Sequence, residues 1–492
     1  MKKYILSFLI LTLLASCSDY QQLELNPNLP TSVPSSIILR NVLNGMNEGA
    51  WDDNMRYNQF YCSNYAYYDT NEYNWQNASL QFTTLKNVVK LEEEALKSGA
   101  KALNPYSALG KFLRAYSYTN MTLRVGDLPV KDALKGIEVD KPKYDTQKDV
   151  FIQVLKWLEE SNNDLAALIT AGDNSLEGDI YYAGDLRKWQ KAVNTFRLRV
   201  LVHLSKKADD ADLKVKQDFA AIIANPTKYP LMTDLSESLQ YVWSVNNKYP
   251  RNPDNLGNNA TRENMAKTYI DLLKNNNDPR LFVVAEPAAA QIAKGLKATD
   301  VEAYVGASSG EDLADMSSKA GRGEYSFQSR ARYYSSYTGE NTFIVSYPEM
   351  CFNISEAINR GWVTGNAQDW YERGVKASMS FYGIADATAY LAQASVKYAG
   401  NNAAGLTQIL SQKYIAFFQN SGYEAYFNWR RTGVPTFLTG TGTGNGNKIP
   451  LRFKYPQLEQ TTNTQNLSEA LTRQFGVGIE GENINAAMWL IK

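Results

Sequence analysis

Three stretches of this chain bring aromatic rings, side-chain amides and guanidinium groups close together: residues 67–77, 243–252 and 330–337. A sugar ring has apolar C–H faces and hydroxyl edges, so a glycan site needs flat aromatic platforms beside directional donors and acceptors. Aromatic faces accept peptide side chains equally well, so these stretches do not choose between a glycan and a peptide. The candidate stacking residues are Tyr68, Tyr73, Trp75, Trp243, Tyr333, Tyr334 and Tyr337; the candidate polar contacts are Asn74, Asn77, Asn246, Asn247 and Arg251. With 32 tyrosines in the chain, many such rings plug irregular packing, and the expectation rests on the clusters rather than on any one residue.

Catalytic material is sparse. The single histidine, His203, lies within a helical stretch, so neither a zinc site nor a Ser-His-Asp triad is assembled from the sequence, and no cofactor is called for. The run TGTGTGNGN at 439–447 lacks the Gly-Lys-Ser/Thr ending of a phosphate loop and reads as a flexible surface loop. Asp173, Ser175, Glu177, Gly178 and Asp179 faintly resemble a calcium loop, but Gly184 stands where its bidentate acid belongs. Asp52, Asp53, Asp69, Glu72, Glu349 and Glu356 are conceivable acid/base pairs for glycoside hydrolysis, none marked by its neighbours. Glu349 and Glu356 share an otherwise apolar helix, where a buried polar network is expected.

The elements that must position these groups are mostly helical. In 184–207, Leu186, Trp189, Val193, Phe196, Val200 and Leu204 fall on one helical face, Leu198, Leu201 and Val202 widen it, and Asp185 is placed as N-cap. This predicts a helix buried on more than one side. Further amphipathic patterns predict helices over 37–46, 82–97, 106–124, 146–169, 262–274, 347–360, 367–382 and 403–429. Part of 51–75 is expected to be helical, with Tyr57, Phe60, Tyr61 and Asn64 on one face. A short strand-like piece precedes the loop at 246–252, an extended segment starts at Asp278, residues 295–342 are long and irregular, and the chain closes in loops. Helices joined by short links suggest stacked antiparallel pairs of the tetratricopeptide type.

Hydrophobic residues make up 44% of the chain and charged residues 21%, which is enough apolar material for a sizeable core. Lys plus Arg equals Asp plus Glu at 51 each, so no net field favours nucleic acid. Residues 1–16 read as a secretory signal, and Leu14-Ala15-Ser16-Cys17 resembles the bacterial lipobox, which predicts lipidation of Cys17 and a membrane anchor through acyl chains. Residues 17–34 read as a tether and 35–492 as one binding domain. Cys62 and Cys351 can pair in an oxidising compartment but read by default as buried thiols.

Several motifs, in order and spacing, resemble the SusD/RagB family of outer-membrane nutrient-binding lipoproteins. They are the lipobox, Asn26-Pro27-Asn28, Gly126-Asp127-Leu128-Pro129, Pro142-Lys143-Tyr144-Asp145 and Gly184-Asp185-Leu186-Arg187-Lys188-Trp189 with Asn194 and Arg197-Leu198-Arg199. They continue through Asp278-Pro279-Arg280-Leu281, Glu356-Ala357, Arg360-Gly361-Trp362, Trp429-Arg430-Arg431-Thr432-Gly433-Val434-Pro435, and Ile449-Pro450 to Tyr455-Pro456. The resemblance implies a mostly α, SusD-like fold in which four tetratricopeptide-like helix pairs support a loop-rich binding face. It also implies a non-enzymatic lipoprotein on the outer membrane, facing the cell exterior, that captures an oligosaccharide or a peptide and delivers it to a SusC-like TonB-dependent transporter. A surface glycan hydrolase and a helical scaffold without a small ligand are the rival readings. The ligand residues do not transfer from the family, so the candidates above rest on chemistry alone.

Overall fold

A computed structural model describes residues 32–67, 69–75 and 77–492; Cys17, the signal segment and Tyr68 lie outside them. The principal helices are α1 (Ser35–Asn44), α2 (Phe82–Lys97), α3 (Pro105–Val125), α4 (Gln147–Thr170), α5 (Leu186–His203), α6 (Tyr347–Asn359), α7 (Ala367–Phe381), α8 (Ala403–Ala416), α9 (Glu424–Thr432) and α10 (Thr464–Phe475). Two small antiparallel ribbons join β1 (Tyr61–Ser63) to β3 (Glu263–Met265) and β2 (Leu239–Tyr241) to β4 (Thr342–Val345). The chain is therefore mostly helical. No helix of the described residues is long and apolar enough to cross a membrane.

The helix starts follow capping chemistry. Asn104 and Ser107 bond reciprocally ahead of Pro105 to open α3, and Asp185 Oδ1 accepts from the Arg187 and Lys188 amides at 2.9 and 3.3 Å to open α5. Successive helices run antiparallel. The start of α2 meets the end of α3 (Phe82 to Tyr118, 6.2 Å between rings), and the end of α3 meets the start of α4 (Gln147 Nε2 donating to Thr122 O, 2.9 Å). Asn162 of α4 accepts from Gln190 and Asn194 of α5, and Phe352 and Tyr371 join α6 to α7. This stacking is compatible with tetratricopeptide-like pairing. The principal core runs without a break from Leu39 to Ile491.

Gly126-Asp127-Leu128-Pro129 and Pro142-Lys143-Tyr144-Asp145 are two halves of one clamp. Leu128 and Asp145 exchange both backbone hydrogen bonds, at 3.2 and 3.0 Å, while Asp127 caps Gln147 N at 2.8 Å and pairs with Arg473 of α10. Gly126 has φ +100°, and a Cβ there would lie 2.0 Å from Gln474 Oε1, so the turn needs glycine.

Charges are buried where α5, α6, α8 and α9 meet. Arg199 Nε donates to Glu349 Oε1 at 2.6 Å and Arg199 Nη2 to Ile344 O at 2.7 Å. His203 Nε2 lies 2.9 Å from Glu424 Oε2, Arg431 Nη2 donates to Glu356 Oε2 at 2.9 Å, and Lys413 Nζ donates to Asn353 and Asn428 at 2.6 and 2.9 Å. Glu349 and Glu356 thus form the buried network expected of them, and His203 is a structural donor. Burial works against an ionised Glu356, but Arg431 and Arg360 outweigh it and hold the carboxyl down to about 2; Glu424 is likewise held at about 2 by His203 and Arg199.

Local pattern misleads where another segment claims the backbone. The expected helix over 403–429 breaks between α8 and α9, where Gln419, Ser421 and Gly422 take positive φ and the Asn420 side chain and Ser421 amide bond to Phe343 of β4. The helix expected over 262–274 begins as β3 and turns helical only over Lys267–Asn275. Among the described residues of 51–75 only Asp53–Tyr57 is helical, and Tyr61 enters β1. The segment after Asp278 is a helical turn, Leu281–Val284, and the closing loops contain Gln457–Thr462 and α10. The glycine run is not a free surface loop. Gly442 N donates to Gly310 O at 3.1 Å, a Cβ on Gly442 would sit 1.7 Å from Glu311 O, and Thr443 is buried. Cys62 and Cys351 are buried free thiols.

Arg199→Ala strands Glu349 without its partner and is expected to cost about 3–5 kcal/mol in urea unfolding. A carboxyl whose pKa is lower folded than unfolded contributes stability above its ordinary 4.5, lost as pH falls toward 2. Asp127, pushed up to about 6 by burial against the pull of Arg473, acts oppositely between pH 6 and 4. The urea midpoint is therefore expected to drop steeply below pH 4.5, and Glu356→Gln to be less stable at neutral pH with a shallower acid decline.

Candidate functional site

The structure splits the candidate ligand residues into buried and open groups. Tyr73 is 1% exposed, and its hydroxyl donates to Tyr57 O at 2.8 Å; Trp75 is 5% exposed and stacks on Phe453 at 4.0 Å with an interplanar angle of 12°. Beside them, Asn74 bonds to Glu72, and Asn77 bridges to Lys454. Tyr333 is fully buried against Trp51 and Tyr249, Tyr334 accepts from Gln328 at 2.9 Å, and Arg251 pairs with Glu263 while lying over the Trp51 ring. These four rings and Arg251 present no open face, so stacking or contact with a ligand is not their role in this conformation. Loops without a helical apolar stripe are held together by large rings instead.

The open group surrounds the β2/β4 ribbon. Trp243, just beyond β2, is half-buried. Its Nε1 donates to Thr342 Oγ1 at 3.0 Å, and its ring packs edge-on against Tyr241 and Tyr249 at 4.9 and 5.8 Å. Asn246 is exposed, and Asn247 closes a tight turn with Ser244 (2.9 and 3.1 Å) and donates to the Tyr241 hydroxyl. Tyr337 donates to Asp254 Oδ1 at 2.9 Å, with Lys248 Nζ 4.5 Å from its ring. The ribbon thus gathers residues from two of the three stretches, while Tyr73 and Trp75 pack elsewhere.

Alternation along β2 sends Gln240 and Tyr241 to opposite sides, and each side borders a cavity. The larger, about 730 Å³, is lined by Gln240, Asn341, Arg332, Glu340, Phe343 and Phe381 among others. Asn341 Nδ2 donates to Gln240 Oε1 at 3.2 Å, and Arg332 Nε to Glu340 Oε2 at 2.7 Å. Burial pushes the Glu340 carboxyl up against the pull of Arg332. Leu235 and Ser380 also line a neighbouring cavity of about 500 Å³, whose wall includes Arg373, Lys376, Asp234 and Asp386. On the Tyr241 side a cavity of about 510 Å³ lies against α1, where Tyr241 donates to Asn44 Oδ1 at 2.8 Å. Amides, a guanidinium–carboxylate pair and aromatic edges together offer what a polyhydroxylated ligand needs. Gln240, Asn341, Arg332, Glu340 and Phe381 were not among the sequence candidates. For Gln240, Glu340 and Asn341 the sequence signal is their place beside aromatic residues in two short strand-like runs; Arg332 lies within the 330–337 stretch, and Phe381 ends α7 with no such signal.

A SusD-like family model, described as starch-binding associating with outer membrane, matches residues 27–456. No curated protein matches the chain. Among solved structures, a SusD homolog from Bacteroides fragilis NCTC 9343 is 29% identical, with a TM-score of 0.84 over 94% of this chain and 100% of that one. A candidate outer membrane protein from Bacteroides vulgatus ATCC 8482, described in connection with nutrient binding, is 30% identical, with a TM-score of 0.81 over 94% and 100%. A chitin-binding SusD homolog from Flavobacterium johnsoniae, 20% identical with a TM-score of 0.71 over 94% and 96%, shares the fold. A family match across most of the sequence, on a helical scaffold of the same architecture, places this chain in the SusD-like family of outer-membrane-associated proteins.

Proposed function

We propose that this protein captures an oligosaccharide at the cell surface and delivers it to a SusC-like TonB-dependent transporter, without chemical turnover. The observation that carries the ligand class is the polar groove along β2 and β4, with Gln240, Asn341, Arg332 and Glu340 beside Phe381 and, at the ribbon's end, Trp243. Trp243 and Tyr337 act as ring platforms; Asn246, Asn247 and the groove amides supply hydrogen bonds. The starch-binding family description and the chitin-binding relative support a glycan over a peptide. Cys17, lipidated after removal of residues 1–16, anchors the protein to the outer membrane facing outward, and 17–34 tethers a single binding domain. Against a hydrolase stand Glu349 and Glu356, two of its conceivable acids, both locked in buried bridges to arginine.

The test is calorimetric titration of polysaccharides and peptides into the full chain, with released product assayed in the same samples. A matched glycan is expected to bind without product. Trp243→Ala and a Gln240→Ala/Asn341→Ala double variant are each expected to weaken that binding by about tenfold or more while the chain stays folded by circular dichroism. Product release, peptide binding without glycan binding, or unaltered affinity in both variants would overturn the assignment. Trp75→Ala should do the reverse: it removes a ring stacked in the core, so a loss of about 3–5 kcal/mol in urea unfolding is expected.

A further inference from the structure

Away from the ribbon, a cavity of about 330 Å³ lies among the end of α6, the start of α8, the end of α9 and the turn following α5. Lys206, Arg360 and Arg431 are in its wall; no carboxylate and no aromatic ring lines it. It is therefore unlike the glycan groove in both charge and surface.

The positive charge is only partly offset. Arg360 Nε and Arg431 Nη2 lean on the same acid, Glu356, at 2.8 and 2.9 Å, so one buried carboxylate serves two guanidinium groups. Lys206 Nζ donates to a neutral group, the Ile491 carbonyl, at 2.7 Å; Lys492 O accepts instead from Lys207, at 3.5 Å. A second observation is independent of this count. Arg431 is 5% exposed, its Nη atoms are satisfied by Ser205, Glu356 and Asn428, and its Nε has no partner. A buried N–H is almost always paired, because leaving it unpaired forfeits its hydration. Arg431 itself stands in the cavity wall.

We propose that this cavity binds a small oxyanion, the shared chemistry of phosphate, sulfate and carboxylate groups, between Arg360 and Lys206 on the solvent side and Arg431 within. Guanidinium forks match the paired oxygens of such anions, and Lys206 adds a point charge. A bound anion would tie the end of α6, α9 and the turn following α5 together, and because it binds only the folded chain it would stabilise that state.

The probe is inorganic phosphate, titrated into the full chain at constant ionic strength with chloride as reference and acetate as a parallel arm, read by calorimetry and thermal unfolding. Expected is a saturable phosphate isotherm and a rise in melting temperature that chloride does not reproduce. Saturation by acetate as well would identify carboxylates as accepted ligands. Lys206→Gln leaves both Glu356 pairs intact and is expected to weaken phosphate binding several-fold; a Lys206→Gln/Arg360→Gln chain should weaken it by about tenfold or more. Glycan binding should be unaffected in both. Equal responses to phosphate and chloride, or undiminished phosphate affinity in Lys206→Gln, would overturn the site.

Discussion

The fold depends on charges buried where four helices meet. Removing an ion from water is expensive, and the cost is recovered only when each partner is held in good hydrogen-bonding geometry. Arg199 and His203, one turn apart on α5, must therefore meet Glu349 on α6 and Glu424 on α9, while Arg431 and Lys413 satisfy Glu356, Asn353 and Asn428. Burial pushes Lys413 down to about 8, and it keeps His203 below its ordinary value despite Glu424. Arg199 also grips the Ile344 carbonyl of β4. The interaction that fixes the helices thus also fixes the ribbon beside the groove.

Helices were legible in the sequence wherever an element buries one stripe of its own surface. The 82–97 pattern matches α2 to the residue, and Asp185 caps α5 as its position predicts. Reading failed where backbone groups are claimed by distant segments. Nothing local announces that Phe343 will bond across the α8–α9 break, or that residues 263–265 will pair with 61–63. A periodicity reading sees a segment's own side chains and is blind to a partner hundreds of residues away.

The candidate site divides along the same line. Composition pointed to Trp243, Asn247 and Tyr337, which stand at the ribbon, and equally to Trp75 and Tyr333, which the core absorbs. Residue type cannot separate these uses, because the flat surface that stacks on a sugar also stacks on Phe453. Burial separates them, and burial is a property of the assembled chain. Gln240 and Asn341 are ordinary amides until β2 and β4 set them side by side.

The clamp at Asp127 has a consequence for the order in which the chain acquires its shape. Arg473 closes it from 346 residues away, Tyr455 donates to the Asp127 carbonyl at 2.7 Å, and the Leu490 amide reaches the Gln147 side chain at 3.0 Å. The α3–α4 pair, complete in sequence by residue 170, borrows its closing hydrogen bonds from the last fifth of the protein. A nascent chain emerging in order cannot finish its first third before its end appears, and contacts at such separation slow folding because loop entropy is paid before they form. The unfinished pair therefore holds part of the polypeptide open until its last residues have arrived.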